Sequence, residues 1–225
     1  MKLKVIITGV TGMVGEGVLH ECLQHPDVEK VLVLNRRPSG IAHPKMVEVV
    51  HDDFFNLEPV CNQLKGYNAC FYCLGVTSIG LTEQQYARIS YDLTLYVAHL
   101  LAELNPDLTF TYVSGSGTDS SEKGRSMWAR VKGKTENELL RLPFRSAFMF
   151  RPGYIHPTKG LKNTHRYYSA LSWMYPVTRR LFPGIVTSMR ELGVAMIHAV
   201  QYGYNNPILE NPDIGKLAAS SGPAK

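Results

Sequence analysis

Three glycines spaced by threes are the first residues in this chain whose pattern could do chemistry. They stand at positions 9, 12 and 15 in the stretch IITGVTGMVGEG, directly behind a short apolar run and ahead of apolar residues at helical spacing. In that setting each has a task. Gly9 permits a tight turn, Gly12 lets the main chain approach a diphosphate, and Gly15 lets the helix pack closely on the strand. The N–H groups of Met13 and Val14 then point at the phosphates with the helix dipole behind them, and Thr11 adds a hydroxyl. The bland alternative is a glycine-rich turn. The strands that follow favour a dinucleotide.

The second strand bears on which dinucleotide. A carboxylate at its end would hold the ribose hydroxyls of NAD. The sequence there reads LNRRPSG, with Asn35 in the expected slot and Arg36 and Arg37 behind it. Guanidinium groups match a 2′-phosphate by charge and fork geometry. The expectation is NADP(H), with NAD(H) as the alternative. The bland reading of the arginines is a solvated loop.

The elements that must position these groups alternate from the first residues. Strands are expected at 3–8, 30–35, 46–51, 69–75, 108–114 and 146–152. Val14, Val18, Leu19 and Cys22 mark a helix over 13–24, stopped by Pro26. Asn56 is expected to cap a short helix ending at Gly66. Thr82 and Gln85 form a capping-box pattern opening a long helix that runs to Leu104. Another helix covers roughly 125–141. The strands are near-continuous apolar runs, as in a parallel sheet covered on both faces. The fold class is therefore α/β, a doubly wound parallel sheet, with residues 1–225 as one domain. Residues from about 157 to 225 are expected to form a small C-terminal lobe on the substrate side. Within it fall an aromatic and basic helix at 166–182 broken near Pro176, a helix at 187–203, a last strand within 206–213 and a frayed end.

Composition bounds the partners. Hydrophobic residues make up 44% and charged ones 19%, enough for a buried core, and the formal net charge is +5. The basic residues are scattered, so nucleic acid is not an expected partner. No run approaches the roughly 20 apolar residues of a membrane helix. The N-terminus lacks a signal-peptide pattern, which predicts a reduced, cytoplasmic protein. Of the four cysteines, Cys70 and Cys73 form C-x-x-C inside ACFYCLGV. On a strand those positions face opposite ways, so neither a redox pair nor a metal site is expected. The eight histidines show no ligand spacing. His198 reads as packing, whereas His156 and His165 fall near the expected cleft.

TGVTGMVG, HDDF after the third strand, CLGVT, VSGSG and RPGYIHP occur in an order that resembles the short-chain dehydrogenase/reductases. The chain is similar to their extended and atypical branches, including the Tat-interacting-protein-like oxidoreductases and NAD-dependent epimerase/dehydratase-like proteins. The resemblance covers residues 3–156 well and the remainder loosely. It implies that Asp53, or its neighbour Asp52, bonds the adenine amino group with Phe54 beside the ring. It places Cys73, Leu74, Gly75 and Val76 along the adenosine ribose and diphosphate. It puts Ser114 and Ser116 at the nicotinamide end, and Pro152, Gly153, Tyr154 and Ile155 near the carboxamide.

The family's chemistry uses Ser, Tyr and Lys, the last two four apart on one helix. Here the helix reads SMWARVKGKTE, with Lys132 in place and Trp128 where the tyrosine belongs. An indole N–H donates but cannot cycle a proton near neutral pH. Ser116 would orient the substrate oxygen, Lys132 would hold the ribose, and Trp128 would form the pocket wall. Three outcomes follow. Tyr91, Tyr154 or His165 takes over the proton, a water relayed by Ser116 does so, or the chain binds cofactor without turnover. The resemblance implies an NADP-dependent oxidoreductase acting on a small carbonyl or alcohol. The alternatives are a catalytically silent NADP(H)-binding sensor or protein-interaction module, and a sugar-nucleotide-type epimerase. It also implies a homodimer through the helices at 82–104 and 125–141.

Overall fold

The computed structural model describes residues 2–163, 184–220 and 222. His165 and the stretch 166–182 lie outside the described residues. Strands β1 (Leu3–Thr8), β2 (Val28–Asn35), β3 (Met46–Val50), β4 (Ala69–Tyr72), β5 (Thr109–Val113) and β6 (Ser146–Arg151) join β9 (Ile208–Glu210) in one sheet. Its order is β3-β2-β1-β4-β5-β6-β9, and every pairing is parallel. The chain winds outward from β1 to β3, then restarts beside β1 with β4. That reversal leaves a crevice above the carboxyl ends of β1 and β4.

Both sheet faces are apolar because each strand feeds two cores. Val5 and Ile7 enter one cluster and Ile6 the other; Phe71 and Cys70 divide likewise, as do Phe148 and Met149. The first core lies under α1 (Met13–Gln24), α5 (Met189–Tyr202) and α6 (Asn211–Ala219). The second lies under the helical run that begins with α2 (Glu83–Ala87) and ends in α3 (Leu93–Leu104), and under α4 (Met127–Leu139).

Several local expectations change. Thr82 does form a reciprocal capping box with Gln85. The long helix it opens contains a π-helical turn at Arg88–Asp92. There the Ser90 carbonyl accepts hydroxyls from Thr94 at 3.1 Å and from Thr135 of α4 at 3.0 Å. Those two bonds stabilise a carbonyl released from the regular ladder. The short helix after β3 is a 3₁₀ helix at Glu58–Leu64, whose N-cap position is Leu57. Asn56 does not cap it; its N–H closes a turn onto the Asp53 carbonyl at 3.1 Å.

The described part of the expected C-terminal lobe is built into the main fold. β9 is the sheet's outer strand beside β6, and α5 packs against α1. A two-stranded parallel sheet of β7 (Tyr154–His156) and β8 (Val186–Ser188) completes the described part. Ser188 caps α5 reciprocally with Glu191.

Candidate functional site

The glycine turn is built by close contact. Gly9 has φ +74°, and a Cβ there would lie 2.7 Å from the main chain of Cys73 and Leu74. A Cβ on Gly15 would stand 2.2 Å from the Gly9 carbonyl oxygen. Gly12 is the N-cap of α1 and has no side chain to bond the first turn; its own N–H donates to the Gly9 carbonyl at 3.0 Å. The N–H groups at the start of α1 lack intrahelical partners and face the strand ends. They border a cleft of about 650 Å³ lined by Gly9, Thr11, Gly12, Leu34, Asn35, Arg36, Arg37, Asp52, Phe54, Cys73, Leu74 and Gly75. Any side chain at Gly12 would enter that space. These residues fit a dinucleotide: open main-chain donors at a helix N-terminus, small residues where a diphosphate must approach, and cations beyond.

At the far end Arg36 and Arg37 are exposed. Asn35 is buried, and its amide nitrogen donates to a Glu48 carboxylate oxygen at 3.1 Å. The Ser39 N–H meets the same oxygen at 2.8 Å. Glu48 thus fixes both Asn35 and the arginine turn, a role invisible in the sequence because it comes from the next strand. Asp52 lines the cleft. Asp53 accepts the Phe55 N–H at 2.9 Å, and it borders with Asp52, Phe54, Leu74 and Gly75 a hollow that adjoins the cleft. Both carboxylates therefore stand at this end, Asp52 on the cleft and the hollow and Asp53 on the hollow. Phe54 is buried beside it.

The opposite end brings together Gly12, Met13, Val14, Cys73, Leu74, Gly75, Val76, Val113, Ser114, Gly115, Lys132, Pro152, Gly153 and Ile155. Lys132 Nζ donates to the carbonyls of Val113 at 3.1 Å and Ser114 at 2.6 Å. Burial pulls its pKa down to about 8, against an opposing pull from the Glu136 carboxylate. Ser114 spends its hydroxyl on the Phe150 carbonyl at 3.1 Å. Ser116 is exposed, and its N–H is tied to the Pro152 carbonyl at 2.9 Å. Trp128 stands one turn before Lys132, its ring against Gly117.

Tyr154, Ser116 and Trp128 are not among the lining residues. Tyr154 lies on β7 between Gly153 and Ile155, which line the cleft, so strand alternation turns it away. Tyr91 is also placed elsewhere: its ring lies 4.4 Å under the Lys134 ammonium. Two residues along a helix is more than half a turn, so Lys134 faces away from Lys132. His156 neighbours Ile155 on the same short strand and also points away from the cleft.

Two buried charged side chains tie the loops around the cleft, one through hydrogen bonds to main-chain N–H groups and one through ion pairs. Glu16, in the first turn of α1 and only 4% exposed, accepts the N–H of Lys162 at 2.8 Å and of Asn163 at 2.7 Å. Arg151, at the end of β6, pairs with the fully buried Glu136 of α4 and with Glu210 of β9, and bonds Ser120 at 2.5 Å. Spacing along the chain gave no signal for either tie.

All four cysteines are free, and Cys70 and Cys73 belong to opposite cores. Burial raises both thiols, Cys73 to about 12, so neither is a thiolate near neutral pH. Among the described residues no cluster of His, Cys, Asp or Glu could hold a metal, and no helix is long and apolar enough to cross a membrane.

Comparison with known proteins agrees with this geometry. Residues 5–126, more than half of the chain, match the model of the NAD dependent epimerase/dehydratase family. The mitochondrial protein fmp52-1 of Aspergillus terreus is 29% identical over 161 residues, covering 69% of this chain and 68% of its own. Protein HTATIP2 of Rattus norvegicus is 28% identical over 153 residues, covering 67% and 62%. The leucinostatins biosynthesis cluster protein T of Purpureocillium lilacinum is 28% identical over 144 residues, but the match spans only 52% of its length. Among solved structures, a UDP-N-acetylglucosamine 4-epimerase from Methanobrevibacter ruminantium superimposes with TM-score 0.66. It is 14% identical and covers 93% of this chain and 76% of that one. MoeE5, in complex with UDP-glucose and NAD, gives TM-score 0.66 at 13% identity, covering 96% and 81%. At such identities the structures establish a shared fold.

Proposed function

Since the chain belongs to the NAD-dependent epimerase/dehydratase family, within the short-chain dehydrogenase/reductase superfamily, we propose that it binds NADP(H) and reduces or oxidises a small carbonyl or alcohol. The observation that carries this reading is the cradle at the start of α1: an uncapped helix N-terminus opening into a cleft that ends at Arg36 and Arg37. The main chain of Met13 and Val14 would hold the diphosphate. Thr11 would add a hydroxyl bond, and the two arginines would meet a 2′-phosphate. Among the described residues neither arginine has a carboxylate partner to neutralise it. Asp53 or its neighbour Asp52, with Phe54, would take the adenine. When bound, the nicotinamide would supply or remove two electrons and a hydrogen at the substrate carbon. Lys132 would hold the ribose beneath it, Ser116 would orient the substrate oxygen from the exposed loop, and Trp128 would wall the pocket.

Trp128 favours a second reading, a silent NADP(H)-binding module that senses redox state or engages a protein. Calorimetry with NADPH and NADH, followed by a carbonyl panel on the wild type and Trp128→Tyr, separates the two. Preferential NADPH binding with wild-type turnover supports the oxidoreductase. Binding with turnover only in the variant supports the silent module, and no binding refutes both. A homodimer through the α2–α3 and α4 helices and a cytoplasmic location belong to the same proposal. The fmp52 relatives carry a mitochondrial name, so localisation of the tagged full chain is the matching test.

A further inference from the structure

The proposed reduction lacks a proton donor in its usual place, and the geometry points to Lys132, whose ammonium at the end of β5 we propose is the general acid. This inference rests on the oxidoreductase reading and goes one step past it, since the family role assigned above to Lys132 is only to hold the ribose.

Lys132 borders the same end of the cleft as Ser114, Gly153 and Ile155. Its nitrogen is fixed by the carbonyls of Val113 and Ser114. An ammonium has three N–H donors, so those carbonyls orient the group and leave one donor over. When the third proton departs, the neutral amine keeps both carbonyl bonds, and its lone pair takes the vacated direction. Protonation can therefore cycle without the side chain moving.

The titratable groups facing Lys132 leave it as the one that cycles. The Tyr112 ring on β5 lies 5.4 Å from Nζ, and burial raises its hydroxyl well above the usual tyrosine range. Cys73, across the same cleft end, is held protonated to about 12. Glu136, one turn along α4, favours the charged lysine, but its carboxylate is shared with Arg151, and burial prevails in bringing Lys132 to about 8. A general acid is most effective when its pKa is near the working pH.

The step balances as follows. The carbonyl carbon gains a C–H bond, with hydrogen and electron pair coming from the dihydronicotinamide, which is oxidised. The C=O π pair moves to oxygen, a Lys132 N–H bond breaks, and an O–H bond forms. The amine then regains a proton from water.

The test begins on the apoprotein labelled with [13Cε]lysine, with the Lys132 resonance assigned by its loss in Lys132→Arg. A titration midpoint near 8 supports the proposal. A midpoint at the ordinary lysine value of about 10.4, or no titration below it, overturns it. Calorimetry and 4-nitrobenzaldehyde reduction with NADPH follow. Lys132→Arg keeps the positive charge but cannot release its proton, and rates are compared at saturating NADPH, set from the calorimetry, so that any loss of ribose contact is separated from loss of the acid. Its turnover should fall by about a hundredfold or more, and the wild-type rate should decline above pH 8. Wild-type turnover in Lys132→Arg overturns the proposal and leaves the oxidoreductase reading standing. Absence of NADPH and NADH binding, or bound cofactor with no carbonyl reduced by either wild type or Trp128→Tyr, overturns that reading and the proposal with it.

Discussion

Replacing Gly15 and Gly12 separately by alanine distinguishes the fold-building glycine from the ligand-facing one. At Gly15 the new methyl would stand 2.2 Å from the Gly9 oxygen, 2.5 Å from its carbonyl carbon and 2.8 Å from the Val10 nitrogen. All three are main-chain atoms of a turn pinned against Cys73, so none can swing aside. Overpacking of this kind costs about 1–3 kcal/mol, and the rigid neighbours place it at the upper end. Alanine returns up to about 1 kcal/mol of helix propensity. The expected net loss is about 2 kcal/mol, or roughly a 1 M drop in urea midpoint at a slope of about 2 kcal/mol per M. At Gly12 the nearest atom to the methyl is the Gly9 oxygen at 3.4 Å, and φ is −104°, which alanine adopts freely. Gly12→Ala should lose only about 0.5 kcal/mol as a poorer N-cap. Its methyl projects into the cleft, so NADPH affinity should fall tenfold or more, about 1.4 kcal/mol. Urea unfolding and calorimetry on both variants give the answer. Equal stability of Gly15→Ala and wild type would refute the close-packing argument. Undiminished NADPH affinity in Gly12→Ala would refute the cradle.

Further tests address the surroundings. Arg36→Ala with Arg37→Ala should weaken NADPH by about 10–100-fold and leave NADH almost unchanged, since charged hydrogen bonds contribute about 1.5–3 kcal/mol; equal losses for both cofactors would contradict the 2′-phosphate assignment. Arg151→Ala strands the buried Glu136 carboxylate and should cost about 3–5 kcal/mol in urea unfolding. Glu16→Ala removes the acceptor for the Lys162 and Asn163 N–H groups. It should cost about 1–3 kcal/mol and raise amide exchange at 157–163, a gain that global unfolding alone would not confine to that segment. Burial depresses the pKa of both His25 and His156 below the ordinary 6.5. Below that value the unfolded chain takes up more protons than the folded one, so the urea midpoint should fall as pH drops from 7 to 5.5. Replacing both histidines by glutamine should flatten that slope.

How much was legible depended on distance along the chain. The glycine turn, the capping box at Thr82 and the apolar strands are local patterns, and each appears near where the sequence places it, except that the fourth strand stops at Tyr72 and leaves Cys73, Leu74 and Gly75 in the loop beyond it. The π turn at Arg88–Asp92 was not legible, because its carbonyl partner Thr135 comes from α4. Asn56 misled for a similar reason: cap preference says nothing of a competing turn onto Asp53. Strand alternation explains why Tyr154 leaves the cleft while Gly153 and Ile155 stay, but only once β7 is known to exist. Asp52 and Asp53 are adjacent carboxylates of one loop and both border the hollow beside Phe54, so residue type does not separate them.

The ties made by Glu16 and Arg151 have a common physical origin. A parallel sheet that binds a ligand at its carboxyl ends must leave those ends open, so the loops there cannot be secured by a sealed apolar layer. Buried, fully bonded charges can hold such loops without filling the cleft, provided each charge keeps its partners. Glu16 does this for the loop after β7 from the first turn of α1, where a carboxylate is also favoured by the helix dipole. Arg151 does it from β6, joining α4, β9 and the loop at Ser120. The second tie has a chemical consequence. By sharing the Glu136 carboxylate, Arg151 limits how strongly that group can hold Lys132 in its charged form. Arg151→Ala should therefore raise the Lys132 titration midpoint as well as destabilise the fold. A midpoint that stays near 8 in the folded variant would show that burial alone sets the lysine.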